Sequence, residues 1–205
     1  MPPAPEPILG TRFEEALVFA ARLHRGQTRK GSEVPYVAHL LAVAAIALEH
    51  GATEDEAIAA LLHDSIEDQS TAFGGAEKLR AEIRARFGDA VLAVVEGCTD
   101  ADTIPKPPWR ERKQRYLEHL AKAPRSVLLV ACADKLHNVR STVADLARSE
   151  DREAYWKRFN GGRDGTLWYY RTLARIFLER FPGALSEDLA RAVLELTSIA
   201  GAKAI

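Results

Sequence analysis

The segment LLHDSIEDQ, Leu61 to Gln69, sets His63, Asp64, Glu67 and Asp68 directly after the apolar run AIAALL. The spacing predicts one helix through both stretches. On it His63 and Glu67 are one turn apart, as are Asp64 and Asp68, so four ionisable groups share an arc of about 140°. Leu61, Leu62 and Ile66 cover much of the remaining surface, which makes the arc the lining of a cleft. Carboxylates gathered out of water repel one another and lose hydration, and a bound cation relieves both penalties. The competing arrangement is an acidic helix face turned to solvent.

Two further stretches bear on that choice. His39 is the lone polar side chain of VAHLLAVAAIA, and Asp134 closes the apolar run VLLVACA. A histidine in such a setting is ordinarily a satisfied core residue, but an unpaired buried carboxylate is costly. If His39, His63, Asp64 and Asp134 converge, they supply two imidazoles and two carboxylates. That donor set suits manganese, iron, cobalt or zinc better than calcium or an all-sulfur site.

The elements that must position these residues are helical. Apolar residues recur at three and four, without bounded alternating runs, so the fold class is all-α, a bundle of about ten helices. Helices are expected over about 11–25, 36–49, 53–68, 75–86, 90–99, 110–123, 125–146, 151–159, 165–180 and 186–200. Thr53 and Glu56 open the third with a capping box. The segment GQTRKGSEVPY, with two glycines and a proline, is a loop carrying Arg29 and Lys30, and DADTIPKPPW is a second loop carrying Lys106. Residues 1–10 read as a Pro-rich tail and 11–205 as a single domain.

The 205 residues are 47% hydrophobic, enough for a sizeable core, and 28 basic side chains balance 29 acidic ones. No overall field would hold the chain on nucleic acid or an anionic membrane. Cys98 and Cys132 lack metal or redox spacing and read as buried thiols. No stretch reaches the roughly 20 apolar residues of a membrane span, and MPPAPEPILG lacks a signal-peptide pattern, so a cytoplasmic protein is expected.

His39, the HD pair His63–Asp64, and Asp134 together resemble the H…HD…D signature of the HD-domain metal-dependent phosphohydrolases. More narrowly, HRGQTRKGSEVPYVAH, LLHDSIEDQ and ADKLHNVR resemble the hydrolase domain of the RelA/SpoT alarmone enzymes and their small stand-alone relatives, over about residues 12–146. The resemblance implies an HD-domain helical bundle whose single metal, usually manganese, is held by His39, His63, Asp64 and Asp134. It assigns the attacking water to Glu67 and Asp68, and the nucleotide substrate to Arg29 and Lys30. Asn138 is implied beside it; Tyr36, next to that loop, is a candidate ribose or base contact or a packed half-buried ring, and Lys106 can reach phosphate in the same cleft. The implied reaction converts (p)ppGpp to GDP or GTP plus pyrophosphate. Alternatives are an HD phosphohydrolase for another nucleotide, such as the 2′-phosphate of NADPH, and a non-catalytic alarmone sensor. The chain departs from the pattern at Leu40, where proline is usual, and at Ser65 and Gln69, where threonine is usual. Beyond the motifs, Arg158, Asn160, Arg163 and Tyr169 can border the cleft, while Trp156, Phe159, Trp168 and Phe177 read as core. The ~60 residues after the motif region leave no room for a synthetase domain, so hydrolysis alone is expected.

Overall fold

A computed structural model describes residues 9–201 other than 102 and 104. The expected N-terminal tail therefore falls almost wholly outside the described residues. Those residues form eleven α-helices and no strand, as the three-and-four spacing predicts. They fall into two compact units that divide between Thr99 and Asp100.

The first unit holds α1 (Thr11–Leu23), α2 (Val37–Glu49), α3 (Glu54–Leu62), α4 (Ser65–Phe73), α5 (Ala76–Phe87) and α6 (Asp89–Cys98). Its centre is α3, whose residues from Glu56 to Leu62 are all buried against α1, α2 and α6. The capping box forms as the sequence requires. Thr53 Oγ1 accepts from the Glu56 amide at 3.3 Å and Glu56 Oε2 accepts from the Thr53 amide at 2.8 Å. Glu56 can therefore be buried without stranding its carboxylate.

The structure corrects the helix expected over 53–68. It stops at Leu62 and a new one starts at Ser65, leaving His63 and Asp64 between them, with Asp64 at φ −95° and ψ 0°. The break has a local cause. His63 Nδ1 lies 2.8 Å from the Ala60 carbonyl, the group that would accept the Asp64 amide in an unbroken helix. The arc drawn on a continuous helix is thus replaced by a joint.

Between α1 and α2 the glycine- and proline-bearing segment is a loop, as expected. Thr28 and Pro35 form an isolated antiparallel bridge, fastened by Arg29 N to Val34 O at 2.8 Å and Tyr36 N to Gln27 O at 2.9 Å. Gly31 turns this loop at φ 73°, a conformation side chains disfavour.

The second unit holds α7 (Trp109–Leu120), α8 (Arg125–Arg148), α9 (Arg152–Trp156), α10 (Gly162–Arg180) and α11 (Ala184–Ile199). Here α8 packs on α10 and α11, and α10 also meets α7 and α11. Trp156 and Phe177 are core residues, as read from the sequence. Trp109 lies over the backbone of Gly161 so closely that a Cβ there would sit 2.6 Å from its ring. No helix among the described residues is long and apolar enough to cross a membrane. Both cysteines are buried free thiols, and burial pushes the Cys132 thiol up.

Candidate active site

In the first unit, α2 presents His39 and the joint after α3 presents His63; both are 1% exposed. Their rings meet edge to face with centroids 5.1 Å apart. Asp64 Oδ2 lies 2.9 Å from His63 Nε2 and 3.5 Å from His39 Nε2, and receives the Tyr36 hydroxyl at 2.6 Å. The Tyr36 ring stacks on His24 and meets His39 edge-on, each at 5.4 Å, with the Arg29 guanidinium 5.8 Å from its centroid.

The tautomer of His63 follows from its neighbours. A carbonyl only accepts, so Nδ1 carries the hydrogen towards Ala60, and in the neutral imidazole Nε2 is a lone pair. That lone pair faces a carboxylate oxygen at 2.9 Å. Two acceptors at this distance need a positive charge, either a proton on the ring or a metal ion that both atoms coordinate. The backbone bond at Nδ1 is the device that fixes ligating histidines elsewhere. The donor set of two buried imidazole nitrogens and a carboxylate oxygen fits a divalent transition metal.

Glu67 and Asp68 occupy the first turn of α4, where the helix dipole favours negative charge. Glu67 is half-buried and Asp68 exposed. Gln27 Nε2 donates to Asp68 Oδ2 at 2.7 Å, and Gln27 Oε1 lies 2.5 Å from Gln69 Nε2 and 2.6 Å from His24 Nδ1. Burial pushes the His24 pKa down, against the hydrogen bond it donates to Gln27. Sequence reasoning missed this network; its signals were the histidine and glutamine of HRGQ and the unusual Gln69. Lys30 is exposed on the loop, and Arg29 half-buried.

In the second unit Asp134 lies buried on α8, 4% exposed. Its Oδ2 receives Lys135 Nζ at 2.5 Å and its Oδ1 receives the Asn138 side-chain amide. Burial pulls the Lys135 pKa down, but the Asp134 carboxylate outweighs it and the net direction is up. An ionised carboxylate has about four lone-pair positions, so these donors leave capacity for a further ligand bond. Lys135 was overlooked although it follows Asp134 directly. Lys106 is exposed ahead of α7. Arg158 is half-buried, Asn160 exposed, and Arg163 exposed and paired with Asp164 at 2.9 Å. Tyr169 is buried, ringed by Trp109, Trp168 and Tyr170, which places it in the core of its unit.

The sequence model of the HD domain matches residues 16–160. The chain belongs to the HD domain family. Among its relatives, this HD protein is 43% identical over 129 residues to the Xenopus tropicalis guanosine-3′,5′-bis(diphosphate) 3′-pyrophosphohydrolase MESH1, covering 62% of this chain and 66% of that one. It is 37% identical over 186 residues to a GTP pyrophosphokinase of Streptomyces coelicolor, covering 89% of this chain and 20% of that one. The chain thus spans just under two thirds of the first relative and a fifth of the second. Among solved structures, one reported as "A metazoan ortholog of SpoT hydrolyzes ppGpp and plays a role in starvation responses" superposes with a TM-score of 0.70. It is 30% identical, with 95% of this chain and 97% of that one covered.

Proposed function

We propose that this HD protein is a metal-dependent 3′-pyrophosphohydrolase of (p)ppGpp, releasing GDP or GTP and pyrophosphate. The observation that carries the reading is the opposition of His63 Nε2 and Asp64 Oδ2, two acceptors 2.9 Å apart in a buried pair of imidazoles. The substrate follows from the relatives and the solved structure named for this reaction, of which the structure covers 95% of this chain.

His39, His63, Asp64 and Asp134 are the residues that would hold the ion. The donor set suits manganese, iron, cobalt or zinc, and the resemblance favours manganese. When bound, such an ion lowers the pKa of water and polarises a phosphoryl oxygen. Glu67 and Asp68 orient the attacking water and accept its proton. The water oxygen bonds to the phosphorus attached to the ribose 3′ oxygen, that P–O bond breaks, and the 3′ oxygen leaves with a proton. Arg29 clamps phosphate through its planar fork, and Lys30 and Lys106 add compact positive charge. Asn138 and Tyr36 border the nucleotide. The family match over residues 16–160 draws on both units, and the superposed structure covers 95% of the chain, which together support treating 11–205 as one hydrolase domain.

The test is purified protein stripped of metal, then given Mn²⁺ with ppGpp, NADPH and common nucleotides, and the products identified by chromatography. GDP and pyrophosphate appearing only with metal are expected, and Glu67→Gln/Asp68→Asn should lose this turnover while melting near the wild type. Intact ppGpp beside another consumed nucleotide would reassign the substrate. Bound but uncleaved ppGpp, with nothing turned over, would make the protein a sensor.

A further inference from the structure

The carboxylate of Asp68 is exposed, yet it is not left to choose its own rotamer. Gln27 reaches it from the loop after α1, and the backbone of Gln27 is itself pinned, its amide on the His24 carbonyl at 3.0 Å and its carbonyl under the Tyr36 amide at 2.9 Å. A glutamine amide has one donating end and one accepting end. An ionised carboxylate only accepts, so the end against Asp68 has to be Nε2, at 2.7 Å. Oε1 then points the other way and requires donors. Gln69 Nε2 at 2.5 Å and His24 Nδ1 at 2.6 Å supply them. His24 is 1% exposed, and burial favours its neutral form, in which Nδ1 carries the single ring hydrogen.

We propose that Gln27, locked by Gln69 and His24, is a positioning residue that fixes the orientation of the Asp68 carboxylate for catalysis. The role rests on the hydrolase reading above. The lock depends on a residue in which this chain departs from the RelA/SpoT-type pattern, because the threonine usual at position 69 is too short to span to the Gln27 amide. A turned-over amide would place Oε1 against Asp68, acceptor on acceptor, and drive the carboxylate out of place.

Gln69→Lys and Gln69→Glu test this, being similar in length and opposite in capacity. Lysine only donates and preserves the amide's direction; ionised glutamate only accepts and reverses it. With both variants melting alike, the glutamate variant should fall roughly ten-fold or more below the lysine variant in kcat, with KM unchanged between them. Gln27→Met should fall with the glutamate variant. A purely structural role predicts equal kcat in the two Gln69 variants, and that result, with a hydrolytic wild type, overturns the positioning role alone. A wild type inert towards ppGpp and every other nucleotide offered overturns the hydrolase reading and the catalytic role with it. Independently of turnover, the Gln27 side-chain NH₂ signal in an NMR spectrum should shift on Asp68→Ala. A signal that stays put overturns the contact itself.

Discussion

Tyr36 donates its hydroxyl to the Asp64 oxygen that also faces His63, at 2.6 Å and 2.9 Å respectively. Asp64 sits at the helix break, where its carbonyl accepts the Asp68 amide at 2.9 Å to start α4, and the tyrosine anchors its side chain from outside. The sequence reading gave Tyr36 to the nucleotide; the bond to Asp64 gives it a part in holding the carboxylate as well.

Tyr36→Phe keeps the ring between His24 and His39 and removes only the hydroxyl. Mn²⁺ affinity is expected to fall about ten- to hundred-fold, the usual cost of losing an outer partner of a metal ligand. Calorimetric titration of the metal-free protein checks it, and an unchanged affinity would assign the hydroxyl elsewhere.

Removing metal should destabilise the protein without any substrate present. Binding to the folded chain alone contributes about 2.7 kcal/mol when free ion stands at 100 times its dissociation constant. Melting curves with chelator and with Mn²⁺ should therefore separate by several degrees, and His39→Ala should abolish the separation. Superimposed wild-type curves would argue that a proton, not an ion, lies between His63 and Asp64.

How much of this was legible beforehand varies with the distance over which each feature is decided. The all-α class, the capping box at Thr53 and the loop over 26–36 follow from neighbours in sequence, and they formed. The break at His63 and Asp64 did not announce itself, because the apolar periodicity runs on through Ile66 and outweighed the weak helix propensity of His, Asp and Ser. A side chain capturing the Ala60 carbonyl decides the matter. The Gln27–Asp68 bond was invisible for a different reason: it joins residues 41 apart in the chain. Gly161 likewise carries no local sign that Trp109 will lie on it.

The pH dependence of stability should carry a signature of His24. Burial lowers its folded pKa below the ordinary 6.5, and its Nε2 has no hydrogen-bond partner. As pH falls below 6.5 the unfolded chain takes up a proton that the folded chain resists, so unfolding gains. The contribution is complete above pH 6.5 and lost as the pH drops from there. Urea unfolding at pH 7.5 and pH 5.5 should show a larger acid loss for the wild type than for His24→Asn; equal losses would mean that the ring protonates freely in the fold.

Gly161→Ala should cost about 1–3 kcal/mol, the typical toll of overpacking. Its new Cβ meets the Trp109 ring at 2.6 Å, whereas one at Gly165 meets it at 3.1 Å, so Gly165→Ala should cost less. Denaturant midpoints of the two variants decide the order.

The helix break also governs which changes of length the chain can survive. One extra residue within α3 would swing everything after it by about 100° about the helix axis, carrying His63 and Asp64 together away from His39. An extra residue between Gly74 and Gly75 falls after α4, in a turn already held in left-handed backbone at φ 97° and 119°, and leaves the registers of His39, His63 and Asp64 as they are. Natural insertions and deletions among its relatives should accordingly spare the stretch from Thr53 to Gln69 and collect at that glycine pair.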